Sequence, residues 1–422
     1  MIRVLLIPSS DYLGHPFPQR HNQIFERVHD GKEFEVHVLR FNIFGKARLS
    51  SRCILHEFPL EFRTESTPLY YISNAALHFK EILKIVRQDS IDVVVAGNLL
   101  PPLLLELAKA ISGLRLPFIF DLQDYYPSSA AGYLRGPMGI LGSAAKGAFE
   151  TMTRALLRAA DAVTAPGIAL ASYAIEARKE AMAGAGASTE AESESGTEPG
   201  TEHVYTVPNG ISEHFLKPHD GKAVREALGY GAEDLVVGYV GSIEFWLDMR
   251  TLIKAVSIAR RRKVNVKFML IGGRLQTGYS ELVEGWIRKE GIGDVTKRLG
   301  FIRHEEVPEY MAAMDIGTIP FDLRNATAYY AAPNKLWEYL SQGVRVASTP
   351  IPEVLAFRSL VQIAMDEDGY VEIFKEAEAE GKRGLKGFDP NRVKEYLANR
   401  TWSRSAEKFK EIIRFMASCK KR

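Results

Sequence analysis

Residues 300–349 read GFIRHEEVPEYMAAMDIGTIPFDLRNATAYYAAPNKLWEYLSQGVRVAST, and their rhythm decides the fold. DIGTIP is a short apolar run of strand length; Pro333 then opens a helix that Gly343 ends, and VRVAST resumes as strand. Strand, helix and strand in that order make a parallel unit buried on both faces. A helix that starts at a strand's carboxyl edge turns free N–H groups and the positive end of its dipole outward, so a diphosphate is the expected ligand there. Lys335 falls in the first turn, behind a loop that carries Arg324, Tyr329 and Tyr330. Glu338 shares the Lys335 face three residues on, where a carboxylate accepts hydrogen bonds from a ribose diol. The same spacing also suits a surface ion pair worth about 0.3–0.5 kcal/mol.

The βα rhythm extends outward from this stretch. LVVGYVG precedes a helix from Leu247, VKFMLIGG a helix from Tyr279, and VTKRLGFI a helix from Glu305. The first half shows the same alternation: VLLIP then PFPQRHNQIFERV, EVHVLRF, DVVVAG then LLPPLLLELAKAI, PFIFDL, and DAVTAP then GIALASYAIEARK. A chain of 422 residues exceeds the roughly 250–300 at which single cores stop growing. The expectation is an α/β protein of two Rossmann-like domains facing across a cleft, because open α/β sheets bind ligands at the carboxyl ends of their strands. The first domain spans 1–210 and the second 211–398, and an amphipathic helix in 399–422 crosses back toward the first. Residues 182–202 hold almost only small and acidic side chains, too little apolar surface to offset ordering, and are expected to form a disordered surface insert.

Composition removes other classes. A net charge of +2, from 54 basic and 52 acidic residues, argues against nucleic acid as partner. Cys53 and Cys419 lie near opposite ends, without CxxC or a zinc-ligand His spacing; they point to a reducing, cytoplasmic setting, and no metal site is expected. The longest apolar run, from Val93, is broken by Asn98 and a Pro pair and is too short to span a bilayer. The GxGxxG fingerprint is missing from both VLLIPSSDYLG and VVGYVGSIEF, which argues against an NAD(P)-dependent oxidoreductase.

The ordered series VPNG, VGYVGSIEFWLDMRTLIKAV, KFMLIGGR, RLGFIRHEEVPEYMAAMDIGTIPF and PNKLWEYLSQGVRVAST resembles the donor domain of glycosyltransferase family 4, of GT-B fold. DYYPSS after PFIFDL resembles the family's Asp-aromatic-Pro segment. The resemblance implies a hexosyltransferase that holds a nucleotide sugar, UDP- or GDP-linked, in its C-terminal domain and transfers the sugar, with retention, to a hydroxyl of a glycan or lipid-linked acceptor. It implies no obligatory metal or cofactor. Donor-side candidates are Gly241, Ser242, Arg274, Phe301, Ile302, Arg324, Tyr330, Pro333, Asn334, Lys335 and Glu338. The sequence departs from the family at two places. Tyr330 stands where many members have the first of two glutamates, the second matching Glu338, and GSIEFWLDM offers Ser242 without the family's Arg and Lys. Neutralisation of the leaving diphosphate then falls to Lys335, Arg274 and Arg324, where a fixed cation lowers the barrier most. Arg274 reads equally as a solvated turn residue, and Phe301 and Ile302 as ordinary core.

On the acceptor side the candidates are Gly14, His15, Arg20 and Asp124. Asp124 is read as a buried carboxylate that takes or orients the acceptor proton, or as a cap on the following turn; Gln123 stands where the family often has His. Gly14 permits close backbone approach to a phosphate or sugar. Asp121 and Asp124 are not spaced as a DxD metal pair. Residues 134–160, with Arg135, Lys146, Arg154 and Arg158, suit peripheral contact with the inner face of a membrane, or an ordinary packed helix. The alternatives are a nucleotide-sugar epimerase or phosphorylase of the same fold, or a sugar-binding protein that has lost turnover.

Overall fold

The structure, a computed structural model of the chain, describes residues 1–15, 18–40, 47–57, 67–133, 139–184, 203–273, 278–380 and 390–419. It divides into two compact units, Met1–Asn209 with Trp402–Arg422, and Gly210–Thr401. Most of the acidic insert, from residue 185 onward, lies outside the described residues, while the preceding helix runs through Ile168–Gly184.

The first unit carries β1 (Ile2–Ile7), β2 (Phe34–Arg40), β3 (Ile54–Glu57), β4 (Val93–Gly97), β5 (Phe118–Asp121), β6 (Ala162–Ala165) and β7 (Val204–Thr206) in one sheet of order β3-β2-β1-β4-β5-β6-β7. All of its neighbours pair in parallel. Every residue of β4, β5 and β6 is buried, as expected of central parallel strands with helices on both faces. Helix Arg20–Val28 buries Ile24, Phe25 and Val28. The final helix, Trp402–Cys419, places Trp402, Phe409, Ile412, Ile413 and Met416 in the same core, with Phe409 edge-on to Phe25 at 5.3 Å. In helix Gly139–Ala159, Arg154 donates to Glu150 and Glu180, and Arg158 to the Ala177 carbonyl. These two arginines therefore serve helix packing rather than a free basic face; Lys146 is exposed, and Arg135 lies outside the described residues.

The second unit carries β8 (Leu235–Val240), β9 (Val266–Ile271), β10 (Thr296–Gly300), β11 (Ile316–Ile319), β12 (Arg345–Ser348) and β13 (Gln362–Ile363), again all parallel, in the order β10-β9-β8-β11-β12-β13. The helix expected from Leu247 begins at Met249, because the Asp248 carboxylate accepts the Thr251 N–H and caps it there. Helix Lys335–Ser341 buries Leu336, Trp337, Tyr339 and Leu340, and the Arg400 guanidinium covers Trp337 at 4.0 Å. That packing commits the apolar face and leaves Lys335 and Glu338 on the other. The order of strands reverses between β1 and β4 in one sheet and between β8 and β11 in the other, and ligand sites of open α/β sheets lie at the carboxyl ends beside such a reversal.

Candidate functional site

In the second unit, β8 leads into Gly241 and β11 leads toward helix Lys335–Ser341, so the strand ends beside the reversal meet at Lys335. The Lys335 Nζ donates to the Tyr239 hydroxyl at 3.0 Å and stands 4.2 Å above the Tyr239 ring. Tyr239 in turn donates to the Ser242 carbonyl at 2.7 Å. Close approach of the ammonium to the backbone depends on glycine. At Gly241, with φ +136°, a Cβ would lie 2.9 Å from the Lys335 Nζ, and at Gly272, with φ +107°, it would lie 2.0 Å from the Gly241 carbonyl oxygen. The positive φ values add strain for any other residue.

Lys335 and Glu338 are half-buried, and no ion pair joins them among the described residues; each feels the other only at a distance. Burial pushes the Lys335 amine down to about 8, partly offset by Glu338. Burial likewise pushes the Glu338 carboxyl up to about 7, partly offset by Lys335. A surface ion pair, the competing reading of this spacing, is therefore not what forms. Among the described residues the ammonium has one neutral partner and two aromatic neighbours, with Phe321 at 5.6 Å. A desolvated cation with so little compensation gains most from an incoming anion.

The other donor-side candidates divide. Pro333 is buried ahead of the helix and Asn334 occupies its N-cap without a side-chain capping bond. Phe301 is 58% exposed and so is not core, whereas Ile302 packs partly against the core. Tyr330 is half-buried at the end of helix Ala326–Tyr329, edge-on to Tyr329. Arg324 is solvent-exposed and closes on Asp322, with Nε to Oδ1 at 2.8 Å, so its charge is engaged locally. Arg274 lies outside the described residues.

In the first unit the sequence reading chose the wrong aspartate as the buried one. Asp121, the last residue of β5, is 0% exposed and accepts from the Arg20 Nε and Nη2 at 3.1 Å, the Thr164 hydroxyl at 2.7 Å and the Gln123 amide at 3.0 Å. The His21 Nε2 is 3.0 Å away. Although burial opposes ionisation, Arg20 and His21 hold this carboxyl far below the usual carboxylate range. Arg20, expected to meet a ligand, spends its guanidinium on Asp121 and on the Asn209 side chain at 2.9 Å. Asp124 is exposed, and no capping bond from its carboxylate is present among the described residues, so both parts of its expected setting are corrected. Asn98 positions it through the Asp124 N–H at 3.2 Å. Surrounding protein still raises its carboxyl above the ordinary range, with Arg20 lowering it and Asp121 raising it.

Gly14 is crowded by its own chain: its N–H donates to Asp11 at 2.9 Å, and a Cβ would fall 2.3 Å from that carboxylate. His15 bonds Gln19 at 3.2 Å. Sequence reading missed His21, Asp121, Tyr239 and Gly272. A charged residue closing the apolar run PFIFD was the one legible signal for Asp121.

Two parallel sheets with flanking helices match solved glycosyltransferases of GT-B fold. HepE from Anabaena in complex with UDP superposes with TM-score 0.65 at 16% identity, over 97% of this chain and 99% of that one. The sucrose-phosphate synthase of Thermosynechococcus elongatus gives TM-score 0.68 at 15% identity, over 99% of this chain and 100% of that one. Residues 234–373 match the family model described as glycosyl transferases group 1. A Bacillus subtilis (strain 168) protein named as a teichuronic acid biosynthesis glycosyltransferase, TuaH, is 30% identical over 158 residues, 36% of each chain. The D-inositol 3-phosphate glycosyltransferase 2 of Catenulispora acidiphila is 27% identical over 139 residues, 32% of each. The chain thus matches about a third of the length of these curated relatives. No helix among the described residues is long and apolar enough to cross a membrane.

Proposed function

We propose that the chain is a glycosyltransferase that moves a hexosyl group from a nucleotide sugar to an acceptor hydroxyl. The observation that carries this reading is the Lys335 ammonium, half-buried at the carboxyl end of β8, whose hydrogen-bond partner among the described residues is the neutral Tyr239 hydroxyl. It is supported by the group 1 match over residues 234–373 and by the HepE structures, which contain UDP and UDP-glucose. In this reading the second unit holds the donor. Lys335 binds the diphosphate, the Gly241 and Gly272 backbone lets it approach, and Glu338 accepts from the ribose hydroxyls. As the anomeric C–O bond breaks, the nucleoside diphosphate gains negative charge, and Lys335 lowers the barrier by neutralising it.

The first unit holds the acceptor, a glycan or a lipid-linked sugar, with Asp124 orienting its hydroxyl and the Asp121, Arg20 and His21 cluster fixing the backbone behind it. Transfer retains the anomeric configuration and needs no metal ion, and the protein works in the cytoplasm or peripherally at the inner face of a membrane. Nucleotides and nucleotide sugars screened for thermal stabilisation test the donor, since a ligand that binds only the folded state raises the midpoint with the logarithm of its concentration over Kd. UDP- or GDP-sugars are expected to stabilise the wild type and to lose that effect in Lys335→Met. A screen in which no nucleoside diphosphate stabilises the wild type overturns the reading. Product analysis with a stabilising donor, followed by NMR of the fresh glycoside, then reads transfer and stereochemistry.

A further inference from the structure

In the first unit, away from the residues assigned to sugar transfer, β2 and β3 run in parallel with His37 opposite Ile54 and Leu39 opposite His56. His37 and His56 are therefore diagonal neighbours on one face of the sheet. Their rings stack with centroids 5.1 Å apart, and the His37 Nδ1 and His56 Nε2 are 2.9 Å apart. Asp89, the residue that ends helix Ala75–Gln88, brings its Oδ2 to 3.9 Å from the His56 Nε2. One ligand atom from each of the three residues lies within 4.8 Å of the others.

We propose that His37, His56 and Asp89 form a binding site for one divalent transition-metal ion of the zinc class, with two imidazole nitrogens and one carboxylate oxygen as protein ligands. The donor set selects the ion. Two nitrogens and one oxygen suit Zn2+, Co2+ or Ni2+, whereas Mg2+ and Ca2+ require mostly oxygen. Tetrahedral bonds of about 2.0–2.1 Å set ligand atoms about 3.3–3.4 Å apart, so the 2.9 Å pair opens and the 3.9 Å pair closes by about half an ångström each.

The arrangement behind the first ligand points the same way. The His37 Nε2 faces the Glu35 Oε1 at 3.2 Å, and the Arg3 Nε donates to that oxygen at 3.0 Å. With its Nε2–H given to Glu35, His37 turns the Nδ1 lone pair toward His56. A carboxylate that fixes the tautomer of a histidine from behind is the usual outer support of a metal ligand. Without metal the His56 Nε2–H donates to that lone pair; on metal binding its proton resides on Nδ1 instead and no net proton is released. His37 is 3% exposed while His56 and Asp89 are half-buried, so the ion has a route in and a water completes its coordination. The bound ion would pin the four-residue edge strand β3 to β2 and to the end of helix Ala75–Gln88.

The test is titration of the untagged, EDTA-treated full chain with Co2+, read by visible absorption, then displacement by Zn2+. One equivalent with a four- or five-coordinate spectrum is expected, unaffected by excess Mg2+. His56→Ala and Asp89→Ala are expected to abolish that spectrum while keeping the wild-type circular dichroism. Glu35→Gln is expected to weaken binding about 10–100-fold. Failure of the wild type to bind Co2+ or Zn2+, or an unchanged spectrum and stoichiometry in folded His56→Ala and Asp89→Ala, overturns the proposal. None of these readouts depends on sugar transfer.

Discussion

Two strand ends in this molecule hold charge in opposite ways. At the end of β5 the Asp121 carboxylate is enclosed by Arg20, His21, Gln123 and Thr164. At the end of β8 the Lys335 ammonium has one neutral hydroxyl, and Glu338 nearby is not paired with it. Both sites are removed from bulk solvent in part or whole, yet the Asp121 carboxylate is paired with a cation and, among the described residues, no carboxylate forms an ion pair with Lys335. A completed cluster holds backbone in place; an incomplete one stores a desolvation cost that a ligand can relieve. The Asp121 cluster thus suits rigidity and the Lys335 site suits an incoming anion, a contrast that can be broken at defined residues.

The largest effect is expected from Asp121→Ala. Removing the carboxylate leaves Arg20 and His21 buried without their counter-charge, at a cost of about 3–5 kcal/mol in urea unfolding. A loss below about 1 kcal/mol would mean that the cluster is not the closed network described. Lys335→Met is expected to do the reverse, lowering turnover by about a hundredfold, or about 2.7 kcal/mol, while raising ligand-free stability at neutral pH by on the order of 1–2 kcal/mol, because a desolvated charge is removed. Near-normal turnover in a folded Lys335→Met protein would remove this residue from the mechanism. Gly272→Ala is next, at about 2 kcal/mol, because a Cβ at φ +107° meets backbone 2.0 Å away; thermal unfolding reads it.

The smallest effect is a pH signature. The Glu338 carboxyl rises from 4.5 in the unfolded chain to about 7 when folded, so its folded form binds the extra proton. Stability therefore falls as pH rises from 4.5 to 7. Lys335 drops from 10.5 to about 8, so the unfolded form binds the extra proton and stability recovers between pH 8 and 10.5. The Glu338 limb amounts to on the order of 1–2 kcal/mol after allowing for its partial exposure, and Glu338→Gln is expected to flatten it in midpoints measured across pH 4.5–7. Diphosphate affinity should fall as pH rises through 8, where Lys335 loses its charge. A flat profile in the wild type would show both groups to be ordinarily solvated.

The shared face of Lys335 and Glu338, the residues proposed for the donor side, was readable before any fold was known, because three-residue spacing within one helix fixes it; Pro333 stands ahead of that helix, which begins at Lys335. Gly241 was readable as a strand end, though not its contact with Gly272, since that contact joins two strands. The proposed acceptor side was harder. Arg20 and Asp124 were visible as polar residues near strand ends, but Asp121, 101 positions from Arg20, claims the guanidinium. Asp124, three residues beyond, stands outside that cluster. Phe301, indistinguishable from core by composition, is exposed because β10 stops at Gly300.

Local periodicity and punctuation in the sequence determined the strands and the helices, since those depend on interactions a few residues apart, and the βα alternation then called for parallel pairing between strands distant in the chain. Only the tertiary structure decided which charges are spent and which are available. It set Arg20 against Asp121, left Lys335 without an ion-pair partner among the described residues, and brought His37 beside His56 by the register of β2 on β3. Each of these depends on desolvation and on distances between residues far apart in the chain, and neither is encoded in any one segment.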